Sequence, residues 1–278
     1  MRVGIIGLGF VGNALLNGLN KKTEVFKVDP KLQTTISDLN NFNPEIIFIC
    51  VPTPMDADGT QDLDILNKVI SEINSYKFES IIVLKSTVLP SHIKRIENRC
   101  AKFIYNPEFL RENHASEDFI NSSLIVFGGN IDLGKSLGYF YKEYTKCIHD
   151  EYLYMDSISA SLIKYSVNSF LSTKVIFFNQ LNEIFLESGS DNKWEDLTKA
   201  LAKDPRIGTT HMNVPGHDGR VGFGGACFPK DTNAFYNYSV ELKKPFSLLN
   251  EVIKINNQLR SLYNTETNRE KDQNIKFK

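Results

Sequence analysis

The sequence has no run of about 18 uncharged apolar residues, so nothing in it reads as a membrane-spanning helix and no membrane partner is expected. It also lacks net charge. With 32 Lys+Arg against 33 Asp+Glu the formal balance is -1, which removes any bulk attraction to nucleic acid or anionic lipid and leaves room only for a local basic pocket. Cysteine is scarce: Cys50, Cys100, Cys147 and Cys227 stand far apart with no C-x-x-C pair, which excludes a disulfide scaffold. The apolar stretch at the N-terminus is short and runs into Gly4, Gly7, Gly9 and Gly12, which suits a strand and turn better than a signal peptide, so a cytoplasmic setting is expected. What is present is the balance of a folded protein, 41% hydrophobic and 23% charged over 278 residues, enough for one large domain or two ordinary ones.

The chain changes texture near Met155. Before it, short apolar runs (Val3 to Ile6, Val25 to Val28, Ile46 to Val51, Ile81 to Leu84, Phe103 to Tyr105, Leu124 to Phe127) alternate with amphipathic stretches such as Leu63, Leu66, Val69, Ile70 and Ile73. That rhythm predicts βαβ units and a parallel sheet over residues 1–154. After it, Ser157 to Glu187 holds a long apolar segment without Pro or Gly, which predicts one helix too greasy for a surface position. Enclosure by other helices or by a second subunit would satisfy it, and a homodimer through this helix, with Phe178 at the interface, is expected. Further helices are expected at Trp194 to Lys203, Asp231 to Lys243 and Phe246 to Tyr263, with a Gly-rich loop from Gly208 to Gly225. The α/β part at 1–154 is thus followed by an all-α part at 155–263, and a polar tail at 264–278 is expected to fray.

Gly7-Leu8-Gly9-Phe10-Val11-Gly12 follows the first strand and opens a helix, which is G-x-G-x-x-G in its required context. These glycines permit a tight turn and let backbone amides approach a pyrophosphate at a helix N-terminus. Asp29 closes the next strand, 29 − 7 = 22 positions after Gly7, where an acid accepts both ribose hydroxyls of NAD and repels the extra phosphate of NADP. NAD is therefore the expected cofactor. A second match, Gly129 to Ser136, fits G-x-x-x-x-G-K-[ST], but its interior carries Ile131 and Leu133 and no later strand supplies an Asp for Mg²⁺, so a chance match is the better reading.

Two further patterns carry chemistry. Lys164 and Asn168 lie one helical turn apart on the apolar helix, where a Lys either snorkels to solvent or has a buried partner; both readings stand. Gly222-Phe223-Gly224-Gly225-Ala226-Cys227-Phe228-Pro229-Lys230-Asp231 combines a flexible loop with a thiol at a helix start preorganised by Pro229, a setting that favours the thiolate. The other three cysteines read as packing residues. His211 and His217 fit no zinc spacing, and no metal is expected.

Together with Val51-Pro52-Thr53-Pro54, Lys85-Ser86-Thr87 and Asn106-Pro107-Glu108-Phe109-Leu110-Arg111-Glu112, these motifs resemble the UDP-glucose/GDP-mannose dehydrogenase family from Met1 to about Leu262. The resemblance implies a Rossmann-type NAD-binding domain followed by a helical dimerisation domain with a long central helix. The family's third, C-terminal domain is expected to be absent, and Asn121-Ser122-Ser123 departs from the usual Pro at that point. The implied activity is a four-electron oxidation of a nucleotide sugar, as in UDP-glucose to UDP-glucuronate, with Cys227 passing through a thiohemiacetal and a thioester. Lys164 and Asn168 would stabilise the oxyanion, Asp231 would orient or deprotonate water, and Glu108 and Thr87 would assist proton transfer. Gly7, Gly9, Phe10, Val11, Gly12, Asp29, Thr53, Thr87, Glu112 and Lys230 would contact NAD. Glu108, Phe109, Leu110, Arg111, Glu112, Lys164, Asn168, His217, Arg220 and Gly224 would form the sugar-nucleotide cradle, with Arg220 suited to a diphosphate. The alternatives are an NAD-binding or partner protein without turnover, and a two-electron hydroxy-acid dehydrogenase, which needs no thiol.

Overall fold

The computed structural model describes residues 1–277; Lys278, the end of the expected tail, lies outside the described residues. The chain forms two compact units, one of residues 1–53 and 62–164, the other of 54–61 and 165–278.

The first unit is built on seven strands: β1 Arg2–Ile6, β2 Glu24–Val28, β3 Ile46–Ile49, β4 Ile81–Leu84, β5 Phe103–Tyr105, β6 Val126–Gly129 and β7 Leu153–Met155, in the order β2-β1-β3-β4-β5-β6-β7. Helices α1 Phe10–Gly18, α2 Ile36–Phe42, α3 Asp64–Tyr76, α4 Pro90–Glu97, α5 Ala115–Ile120 and α6 Ile131–Tyr144 connect them. The strands are Ile- and Val-rich because both faces are covered, one core cluster centring on Ile47, Ile49, Leu66 and Ile70 and the other on Val3, Ile5, Phe48 and Phe140.

The sheet differs from the expected one. The sheet is not all parallel: β6 runs antiparallel to β5, with Ile104 opposite Gly129. An antiparallel neighbour starts where its predecessor stops, so the segment from Asn106 to Ile125 stays at the C-terminal edge of the sheet, where open α/β sheets bind ligands. Strand β7 is missing from the sequence reading because three residues with Leu153 half exposed carry no readable alternation. The expected Leu124 to Phe127 run lies two residues further on as β6, whose Gly128 admits a close neighbour: a Cβ there would stand 2.6 Å from that of Ala160.

Helix α7 runs from Ser157 to Glu187, with the expected bounds. Its later part belongs to the second unit with α8 Trp194–Leu201, α9 Phe228–Glu241, α10 Ser247–Arg260 and α11 Asn268–Asp272. The enclosure is partial. Phe178, expected at an interface, is buried against Trp194 and Met212 within the unit. The exposed apolar residues of α7 include Phe170, Phe177 and Ile184, at 67%, 58% and 66% exposure, spaced by seven and so nearly in line along the helix, with Leu186 also exposed. Among the described residues no helix is long and apolar enough to cross a membrane.

The described part of the tail, through Phe277, is ordered into a short helix and packed, contrary to the expectation that it frays. Thr267 and Glu270 form a capping box that starts α11, and Glu270 and Ile275 are buried. The sequence showed a polar segment, but its anchor is a buried carboxylate, which composition cannot distinguish from a solvated one.

Because Phe178 fills a closed cluster, Phe178→Ala is expected to cost about 3 kcal/mol of unfolding free energy. Urea unfolding checks this, and a loss near zero would mean that the cluster is loosely packed.

Candidate active site

The glycine turn after β1 has the geometry of a pyrophosphate cradle. Gly7 has φ +90, and a Cβ at Gly7 or Gly12 would meet backbone, of Cys50 in the first case and of Gly7 in the second. Gly9 differs: a Cβ there would meet nothing within 4 Å. The protein's own packing thus explains Gly7 and Gly12, while the open side of Gly9 admits the close approach of a ligand. Gly9 caps α1 without a side-chain hydrogen bond, so no side chain of the cap competes for the first-turn amides, with Phe10 and Val11 in that turn. Asp29 accepts from the Leu8 amide through Oδ2 at 2.7 Å and from the Lys31 amide through Oδ1 at 2.9 Å, which fixes its carboxylate beside the turn with a lone pair remaining on each oxygen. These residues fit a dinucleotide. The competing match at Gly129 to Ser136 does not form a phosphate loop, because Asn130 caps α6 and its side chain takes the Asp132 and Leu133 amides.

The motif segments of the first unit meet at the C-terminal edge of its sheet. The Thr53 hydroxyl donates to the Thr87 carbonyl at 2.9 Å and the Ser86 hydroxyl to the Val51 carbonyl at 2.6 Å, tying the loop after β3 to that after β4. Glu108 is turned inward: Oε2 accepts from the Leu110 amide at 2.7 Å and Oε1 from Lys164 Nζ at 3.2 Å. Both members of that ion pair are buried, and the Lys164 ammonium also lies 5.6 Å from the centre of the Phe109 ring. This resolves the choice left open by the sequence: Lys164 does not snorkel. Arg111 points the other way, where a bidentate pair with Asp118 holds it at the surface and keeps its pKa raised. Glu112 opens a short 3₁₀ turn beside it.

Near Glu108 is a buried cation, Lys85, whose role the sequence does not reveal. Lys85 is buried, and its ammonium donates to Asn106 Oδ1 at 3.0 Å, while the Tyr141 hydroxyl donates to the same oxygen at 2.6 Å. Burial lowers the pKa of Lys85, with nearby Cys50 and Glu108 opposing. The network ties down the Asn106-Pro107-Glu108 turn, and a small cavity of about 20 Å³ lies between it, Phe109 and Phe119.

In the second unit the thiol stands as expected. Cys227 is the N-cap of α9, with Pro229 in its first turn; the helix begins at Phe228, three residues before the expected start. Asp231 lies one turn on, its amide bonded to the Cys227 carbonyl at 2.9 Å. The Asp231 carboxylate is buried and accepts from Asn168 Nδ2 at 2.6 Å and from Lys230 Nζ. Arg220 is engaged by its own chain: it donates to the Thr265 carbonyl at 2.7 Å and to the Thr265 hydroxyl at 3.0 Å. His217 lies on the exposed loop before it, and Gly224 is packed against Arg260 and Glu270. Among the described residues no cluster of His, Cys, Asp or Glu could hold a metal ion.

Residues 28–144 match the NAD binding domain, and residues 158–258 the central domain, of the UDP-glucose/GDP-mannose dehydrogenase family. The chain belongs to this family. It is 36% identical over 229 residues to the UDP-glucose 6-dehydrogenase of Rickettsia bellii, covering 79% of this chain and 51% of that protein. The UDP-glucose 6-dehydrogenase of Campylobacter jejuni is 27% identical, with 99% of this chain and 76% of that protein covered. A solved UDP-glucose dehydrogenase from Pyrobaculum islandicum superposes with a TM-score of 0.75 at 26% identity, over 92% of this chain and 68% of that one. The chain spans about half the length of most of the curated relatives it matches.

The cysteines differ sharply in setting. Burial pushes Cys50 up to about 12 and Cys100 up to about 11, and it raises Cys147 as well, whereas Cys227 sits at a helix N-terminus. Iodoacetamide on the native protein near neutral pH is expected to label Cys227 first and the others only after unfolding. Peptide mapping checks this, and early labelling of Cys50 or Cys147 would contradict the burial argument.

Proposed function

We propose that the chain is the NAD-binding and catalytic part of a nucleotide-sugar 6-dehydrogenase, oxidising a primary alcohol to a carboxylate with UDP-glucose as substrate. The single observation that carries this reading is the joint presence of Cys227 at the start of α9, Asp231 one turn later, and Asn168 bonded to Asp231. A two-electron hydroxy-acid dehydrogenase has no use for the thiol, and a binding protein has no use for buried polar partners beside it.

NAD, which the Gly7 to Gly12 turn and Asp29 would hold with Thr53, Thr87, Glu112 and Lys230 as further contacts, would accept one hydride in each of two oxidations, from alcohol to aldehyde and from thiohemiacetal to thioester. The protein's own groups do the rest. The Cys227 thiolate adds to the aldehyde carbon, forming a C–S bond and leaving an alkoxide that Lys164 and Asn168 stabilise. Loss of hydride from that carbon leaves a thioester, and water directed by Asp231 cleaves the C–S bond, releasing the carboxylate and regenerating the thiol. Glu108, with Thr87, moves protons during the steps at the alcohol. Phe109, Leu110, Arg111, His217, Arg220 and Gly224 are the proposed sugar-nucleotide contacts; for Arg220 this requires the diphosphate to replace Thr265.

The active species is proposed to be a homodimer through the Phe170, Phe177 and Ile184 face of α7, since such an apolar line left in water is costly. Light scattering at micromolar concentration should give twice the chain mass, and Phe177→Glu should give the monomer. A monomeric unmodified chain would contradict the assignment.

The chemistry is tested by Cys227→Ser and Lys164→Ala. The first is expected to abolish steady-state NADH production, because serine forms an ester that hydrolyses slowly and leaves at most a burst. The second is expected to lower kcat by about 10²-fold with NAD affinity unchanged, as the loss of a transition-state contact does. Full turnover by Cys227→Ser would overturn the proposal.

A further inference from the structure

The backbone between Val221 and Gly225, which leads to Cys227, is pinned by side chains from three separate parts of the second unit. Gly222 N–H donates to Asn179 Oδ1 at 2.9 Å, from α7. Asn256, on α10 and buried, grips Phe223 on both sides: its Oδ1 accepts from the Phe223 amide at 2.6 Å and its Nδ2 donates to the Phe223 carbonyl at 3.0 Å. The Val221 amide donates to the Tyr263 hydroxyl at 3.0 Å, and the Gly225 amide to Glu270 Oε1 at 3.3 Å. The last two partners lie beyond residue 258, where the match to the family's central domain ends.

Glu270 is itself fixed. Arg260 donates to its Oε1 at 2.8 Å and to Asp218 Oδ2 at 2.7 Å, and the guanidinium lies 5.2 Å from the Phe277 ring centre. The Thr267 amide donates to Glu270 Oε2 at 2.7 Å. Burial alone would raise the Glu270 carboxyl, but these donors together hold it below its ordinary value of 4.5. A lowered folded value means that the pair's contribution to stability is fully present above the ordinary carboxylate range and is lost as pH falls through the lower folded value.

The glycines of the loop follow from this pinning. A Cβ on Gly224 would overlap the Arg260 guanidinium and the Glu270 carboxylate, and one on Gly222 would stand 2.6 Å from Asn256 Oδ1. The ion pair therefore touches loop backbone directly. A buried ion pair is a poor source of stability, since desolvation offsets its attraction, so its placement calls for another role.

We propose that Asn256, Arg260 and Glu270 are positioning residues for Cys227, holding the 221–225 backbone so that the thiol is delivered to the N-terminus of α9 in one orientation. This rests on the reading of Cys227 as the nucleophile. The segment after residue 258 is then part of the catalytic apparatus. It acts through the loop and touches no reacting atom.

The test compares Glu270→Ala with Glu270→Gln in the full chain, well below each variant's Tm, by Cys227 alkylation with iodoacetamide and by kcat and KM with UDP-glucose and NAD. Glu270→Ala is expected to change the alkylation rate by about 5-fold and to lower kcat by about 10-fold or more with the KM for NAD unchanged, since small misplacements of a reacting group are costly. Glu270→Gln keeps an acceptor for the Gly225 amide and should restore most of both. If Glu270→Ala does not fold, Thr267→Ala, which removes the hydroxyl that accepts from the Glu270 amide and leaves the Thr267 amide on Glu270 Oε2, is expected to move the same readouts in the same direction by about 2- to 3-fold. A variant that loses Tm but keeps unmodified alkylation and kcat would overturn the proposal and leave the pair a structural tie. Alkylation needs neither NAD nor sugar, so it reports on the loop even if Cys227→Ser proves active; in that case the catalytic reading fails and the positioning of the thiol is still measured.

Discussion

The structure depends on one constraint: polar groups carried into the interior by an apolar helix must find partners there. α7 brings Lys164 and Asn168 out of water, and taking a charge from water costs several kcal/mol unless it is paired and hydrogen-bonded. Glu108 meets the first and Asp231 the second. Each partner is held in turn, Glu108 by the Leu110 amide and Asp231 by Lys230. Buried ion pairs are a poor source of net stability, which agrees with the functional role proposed for these four residues.

The same logic runs through one loop in each unit. The turn after β5 is set by Asn106, which takes hydrogen bonds from Lys85 and Tyr141 and donates to the Val126 carbonyl. The loop before α9 is set by Asn179, Asn256, Tyr263 and Glu270. In both cases a flexible segment is made rigid by side chains that bond backbone, which is how a site gains the orientation that chemistry needs.

Much of this was legible beforehand. The strands β1 to β5, α7 with its bounds, the glycine turn with Asp29 and a thiol close to the N-terminus of a helix follow from periodicity and turn chemistry, which are local. What sequence reading missed is non-local. The antiparallel β6 and the short edge strand β7 depend on pairing that no single segment encodes. Phe178 and Phe177 are neighbours on one apolar helix, and only the packing of Trp194 decides which is buried. The segment after Tyr263 looked solvated because its charges are polar in composition; that Glu270 would be buried against Arg260 required the fold.

The measurement that bears most directly on the whole account is the number of NADH formed per sugar nucleotide consumed, with the product identified. Two NADH and a carboxylate are expected, because a covalently held aldehyde cannot leave before its second oxidation. One NADH with free aldehyde accumulating would contradict the role given to Cys227 and leave an ordinary alcohol dehydrogenase.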